Sequence, residues 1–230
     1  MHKFLACLLI AIANPVWATP LEDLQAFSPT LATLPAEYPQ QVPQLQTYAK
    51  SQDFTDPHEQ LTVVVHELIH IASAAHQGYW VRGTIYDGYT RHYWQGLKAS
   101  DVDPTPGERN QMAAILNNYW ERNPANDMGN VVDEINAYGE TVPFVCAYAP
   151  TRASRQVQPL IGHLTLLNAW LRAFRTLNHS RYVELQSTNA TRGIIDLTVH
   201  QAWQTLSQCG VRQISHQEEI QTFLANNFYQ

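Results

Sequence analysis

Residues 58–77 read HEQLTVVVHELIHIASAAHQ, preceded by Asp56-Pro57, and Asp56-Pro57-His58-Glu59 spells a helix start. Asp is a favoured N-cap, Pro fits a first turn where its missing N–H has no partner anyway, and Glu suits the positive end of the helix dipole. The stretch predicts a helix from about His58 to Gln77, with Gly78 as its stop. Leu61, Val64, Val65, Leu68 and Ala72 form its apolar stripe, which places His66 and His70 on the opposite face beside Val63 and Ala74. From Thr62 to Ala75 the only charged side chain is Glu67. A solvated face would carry Lys, Glu or Gln there; an apolar face holding two histidines and one carboxylate reads as the floor of a cleft. Histidines four apart sit about 40° apart around a helix and one turn along it, so both imidazoles can reach one ion. Neutral imidazoles favour Zn²⁺, and Glu67 then points beside the metal, where it can take a proton from a bound water.

Outward from this helix, Tyr79–Tyr86 and Tyr89–Trp94 flank Asp87-Gly88, the pattern of a hairpin. Helical spacing is expected over about Gly107–Arg122, Val131–Tyr148 (with a bend at Gly139 or Pro143), Leu160–Phe174, Ile194–Ser207 and His216–Asn227. The expected fold class is α+β, predominantly α-helical, with one small β element. Residues 19–57 carry prolines at 20, 29, 35, 39, 43 and 57 and read as an extended or loosely structured lead-in, with a short helix near Leu21–Ala26. It is expected to be either a propeptide or a segment that wraps the domain formed by residues 58–230.

At the amino terminus, His2-Lys3 precede an apolar run from Phe4 to Ala13, then Pro15 and Val16-Trp17-Ala18. The run is too short to span a bilayer and reads as a signal peptide cleaved after Ala18, which implies a secreted or periplasmic protein. Export leaves Cys146 and Cys209, which are expected to pair in an oxidising compartment. With 14 Lys+Arg against 20 Asp+Glu, net −6, neither a nucleic-acid groove nor a polybasic membrane patch is expected. No integral membrane segment is expected either, and the sequence is silent on oligomeric state.

The run Val63-Val64-Val65-His66-Glu67-Leu68-Ile69-His70-Ile71 resembles the zincin metallopeptidases, whose HExxH motif lies in uncharged, proline-free surroundings. The resemblance implies zinc on His66 and His70, Glu67 as general base and a peptide or protein substrate. Two candidates stand for the third ligand. His76 falls where metzincins keep theirs, but Ser73 replaces the glycine at which their chain turns, and Ser73-Ala74-Ala75 favours a continuing helix. A continuing helix carries His76 about 9 Å beyond His70. Asp133-Glu134-Ile135-Asn136-Ala137-Tyr138 resembles the ExxAD segment of gluzincins, which implies Glu134 as third ligand, and this is the preferred assignment. Tyr138 stands where that family has an Asp that hydrogen-bonds a ligand histidine; it is expected to keep a similar contact or to face substrate. The hairpin aromatics and His92 are weaker candidates for a cleft wall. His58, His163, His179, His200 and His216 show no ligand spacing and are expected to be surface or core positions. The expectation is thus a zinc-dependent peptidase. The alternatives are an inactive zincin-scaffold binding module and a helical interaction protein with a chance HExxH.

Overall fold

In a computed structural model, residues 18–86, 94–116 and 127–225 are described. The HExxH stretch is helix α4, Pro57–His76, and it follows α1 (Ala18–Phe27), α2 (Pro29–Glu37) and α3 (Val42–Ser51). Asp56 caps α4 by accepting from the backbone N–H groups of His58 and Glu59, at 2.9 and 3.1 Å. The helix ends at Gln77, which takes the left-handed conformation at φ 52°. Gly78 is needed for a different reason from the one expected. A Cβ there would sit 2.5 Å from Ile85 Cγ2 and 2.8 Å from the Tyr86 carbonyl oxygen, so only glycine lets the next strand approach.

That strand belongs to a hairpin of β1 (Tyr79–Val81) and β2 (Thr84–Tyr86), paired antiparallel with Tyr79 opposite Tyr86. The turn is Arg82-Gly83, with φ 50° and 81°, inside the segment expected to be one strand. Two consecutive positive φ values are what a two-residue hairpin turn of the primed kind requires. Asp87-Gly88 and the expected second strand, up to residue 93, lie outside the described residues.

After a 3₁₀ turn at Ala99–Asp101 come α5 (Pro106–Gln111) and α6 (Ala113–Ile115). The single helix expected from Gly107 is interrupted at Met112, whose backbone (φ −83°, ψ 1°) leaves the α region while its side chain is fully buried; residues 117–126 lie outside the described set. Then follow α7 (Met128–Tyr148), α8 (Ser154–Leu177), α9 (His179–Ser187), α10 (Asn189–Gln208) and α11 (Glu218–Ala225). Pro143 sits inside α7 without ending it. Its ring removes the hydrogen bond to the Gly139 carbonyl, and Thr205 Oγ1 of α10 donates to that oxygen instead, at 2.9 Å. Cys146 of α7 and Cys209, just past α10, form the expected disulfide.

The chain is α+β and predominantly helical, as expected. Helix α7 lies centrally. Val131, Val132, Ile135, Val142 and Val145 face the large core built with α8, α10 and α11, while Ala137 and Phe144 join a second core with α4. In that second core Leu24, Leu31, Leu34 and Val42 of the lead-in cover Leu61, Val64, Val65 and Leu68. The lead-in is therefore neither extended nor loose. Pro29, Pro43 and Pro57 occupy first turns, where proline starts a helix rather than breaking it. Among the described residues no helix is long and apolar enough to cross a membrane.

Thr105 and Glu108 form a reciprocal capping box at the start of α5. Burial pushes the Glu108 carboxyl up, but Arg172, the Thr105 N–H and Asn168 outweigh it and hold it down at about 2. A depressed folded pKa stabilises the fold above the ordinary carboxylate range, and that stabilisation is lost as pH falls from there toward about 2. Glu108→Gln should lower the unfolding free energy by about 2 kcal/mol at neutral pH and flatten the acid limb of stability against pH, read by urea unfolding at stepped pH.

Candidate metal centre

Helices α4 and α7 pack together, and each contributes one face to a single cluster. From α4, His66 is buried and His70 half-buried, one turn apart, with their rings edge to face at 4.7 Å between centroids. From the second turn of α7, Glu134 Oε2 lies 3.3 Å from His66 Nε2 and 3.6 Å from His70 Nε2. The two Nε2 atoms are 3.1 Å apart. Three donors thus converge on one point, all on Nε2 or carboxylate oxygen.

These separations are a test of fit. Donors bound tetrahedrally to zinc at about 2.0–2.1 Å stand about 3.3 Å from one another. The observed 3.1, 3.3 and 3.6 Å bracket that value. The donor chemistry agrees, since two imidazoles and one carboxylate suit a borderline divalent ion.

Asp133 Oδ2 lies 2.7 Å from His70 Nδ1. That contact makes Nδ1 the protonated ring nitrogen and turns the Nε2 lone pair toward Glu134 and His66. Burial disfavours charge on His70, yet the Asp133 and Glu134 carboxylates outweigh it and hold its pKa well above the ordinary value. Burial likewise pushes Glu134 up, and His70 and His66 hold it well below the carboxylate range instead. The field that draws positive charge between these groups is the field a dication needs.

His66 is set differently. Its Nδ1 is buried without a hydrogen-bond partner among the described residues, and its ring packs on Tyr138 at 4.3 Å between centroids. Tyr138 in turn stacks on His163 of α8 at 5.6 Å. Burial, with Glu134 and Glu67 nearby, pushes the Tyr138 hydroxyl well above its ordinary value, so it stays a donor. Burial carries the His163 imidazole down to about 4, so it is neutral. Glu67 is half-buried, and no hydrogen bond or ion pair holds its carboxylate among the described residues. Tyr48 of α3 is half-exposed; burial and then the Glu67 and Glu134 carboxylates raise its hydroxyl.

The structure therefore brings together His66, His70, Glu134, Glu67 and Tyr138. It does not bring His76 to them: α4 continues through Ser73 as expected, and His76 ends it, exposed and outside the cluster. Ser73 has its own task, its Oγ accepting from the Trp80 N–H of the hairpin at 3.1 Å. Of the hairpin aromatics that are described, all but the exposed Tyr86 serve packing. Tyr79 and Trp80 are buried, and the Tyr79 hydroxyl donates to the Gly129 carbonyl. His92 lies outside the described residues.

Sequence reasoning missed Asp133, His163 and Tyr48. Asp133 carried a signal, since it adjoins Glu134 and two neighbouring helical carboxylates can straddle one ring. Tyr138 does not take over the histidine hydrogen bond; Asp133 makes it, and Tyr138 supplies a ring face. His163 and Tyr48 come from distant elements and carried none.

If Asp133 fixes the His70 tautomer, Asp133→Ala should weaken zinc binding by about 10–100-fold, and Asp133→Asn, which keeps an acceptor, by less. Competition with a chromophoric chelator reads both. Unchanged zinc affinity in Asp133→Ala would show that the contact does not orient the ring for metal.

Compared with known protein families, curated proteins and solved structures, the chain matches none.

Proposed function

We propose that this chain is a zinc-dependent peptidase of gluzincin-like type, exported to an extracellular or periplasmic compartment. The observation that carries the reading is the convergence of His66 Nε2, His70 Nε2 and Glu134 Oε2 from two packed helices at zinc-compatible separations. These three residues would hold the ion. When bound, zinc supplies a Lewis acid for a scissile carbonyl and brings the pKa of water at its open position toward about 7.

The remaining roles belong to the chain. Among the described residues Glu67 is the carboxylate beside the cluster that no hydrogen bond or ion pair holds, and it serves as the proton carrier. It takes the proton of the attacking water and delivers it to the leaving amine as the C–N bond breaks. Asp133 keeps His70 oriented. The Tyr138 hydroxyl, kept protonated, donates to the developing oxyanion. Amide hydrolysis consumes only water, so no further reactant is required. The compartment assignment rests on the leader-like residues 1–18 together with the Cys146–Cys209 disulfide, which persists in oxidising surroundings.

Glu67→Gln should reduce turnover of a quenched-fluorescent peptide library by about 10²–10⁴-fold while one zinc per chain is retained. Cleavage at the wild-type rate by a zinc-loaded Glu67→Gln protein would reject the base role. No cleavage by the zinc-loaded wild type, with a protein partner still bound, would replace the peptidase reading with that of a binding module.

A further inference from the structure

A groove of about 360 Å³ opens on the side of α7 turned away from the metal centre. Gly139, Glu140 and Pro143 line it, and at 100° per residue they lie about 140–240° round the helix from Glu134. The other walls are the start of α2, the Arg82 hairpin turn and the last two turns of α10. The volume falls in the range of about 300–1,000 Å³ usual for small-molecule sites. It is also held in shape. The disulfide ties α7 to α10 beyond the groove, Thr205 bonds the Gly139 carbonyl, and the Arg82 backbone N–H donates to Glu140 at 3.1 Å.

The walls carry a specific chemistry. Gln201, Gln204 and Gln208 lie at i, i+3 and i+7, so one face of α10 presents three neutral amides, each both donor and acceptor. Gln201 is 6% exposed, and its Oε1 has no hydrogen-bond partner among the described residues. A buried acceptor left in that state is costly unless a donor arrives. Glu140, 8% exposed, is the one buried carboxylate among the lining residues, and burial pushes its carboxyl up, with Gln201 and Arg82 only partly opposing that. At the mouth, Phe27 shows 40% of its surface, with its ring fixed against Phe144 and Tyr148.

We propose that this groove binds a neutral saccharide of one or two rings, with its hydroxyls paired to Gln201, Gln204 and Gln208 and a ring face on Phe27. Hydroxyls are donor and acceptor at once, as the amides are, and a sugar's C–H face stacks on an aromatic ring. An uncharged ligand suits walls in which the amides of Gln201, Gln204 and Gln208 and the hydroxyls of Ser28, Thr30 and Thr205 outnumber the charged side chains. The site does not depend on the metal centre, and it stands whether or not the peptidase reading does.

The test is calorimetric titration of the full chain with glucose, N-acetylglucosamine and their β-1,4-linked disaccharides, up to about 10 mM. At least one of them should saturate a single site. Gln204 and Gln208 are exposed, so Gln204→Ala/Gln208→Ala should keep the wild-type unfolding temperature and weaken binding about tenfold or more, and Phe27→Ala should also weaken it. His66→Ala and chelator treatment should leave it unchanged. The proposal would be overturned by no saturable binding of any of these sugars, by binding indifferent to the glutamine pair, or by binding lost with His66→Ala. Tighter binding of tetra-alanine than of any sugar, lost with the glutamine pair, would overturn it in favour of a peptide groove.

Discussion

The site depends on how α4 and α7 face each other across His70. The four-residue spacing on α4 brings two imidazoles within reach of one point, but by itself it leaves that point without an acid. Helix α7 supplies two acids on successive residues, Glu134 toward the Nε2 side of His70 and Asp133 at Nδ1. One ring is thus gripped at both nitrogens by carboxylates from a single helix. Two half-buried to buried carboxylates with no cation but imidazoles paired to them among the described residues are costly unless positive charge lies between them. A proton can supply some of that charge, and a divalent ion supplies more, at separations the three donors already have.

Other elements brace this apposition. Helix α8 presents His163 to the far face of the Tyr138 ring, which in turn backs His66. Helix α10 repairs the hydrogen bond that Pro143 removes from α7, and the disulfide holds the two together at one end. On the opposite side α1–α3 cover the apolar stripe of α4. The N-terminal helices are therefore part of the fold that carries the cluster, and Tyr48 of α3 lies close enough to feel both Glu67 and Glu134. One helix, α7, has the His66–His70–Glu134 cluster on one face and a polar groove on the other.

Much of this was legible in the sequence because it is local. The spacing of His66 and His70, the apolar stripe of Leu61, Val64, Val65 and Leu68, and the Asp56-Pro57 start each fix α4 without reference to the rest of the chain. Ser73-Ala74-Ala75 correctly argued for a helix that runs on and carries His76 away. The prolines of residues 19–57 misled because their meaning is positional: Pro29 and Pro43 sit in first turns, where proline initiates a helix, and Pro35 is carried inside α2 without ending it. The hairpin turn was missed because Arg82-Gly83 competes with Asp87-Gly88, a stronger turn signal five residues on. What the sequence did not carry is the pairing between distant elements. Asp133 on His70, His163 on Tyr138 and Thr205 on Gly139 exist only once α7, α8 and α10 are packed.

The central claim is that three named side chains bind one zinc ion, and metal analysis of the purified, zinc-equilibrated protein tests it most directly. The account predicts one zinc per chain in the wild type and in His76→Ala, and its loss in Glu134→Ala with the fold intact by circular dichroism. Zinc retained in Glu134→Ala but lost in His76→Ala would contradict the ligand set, and no stoichiometric zinc in the wild type would contradict the metal centre itself.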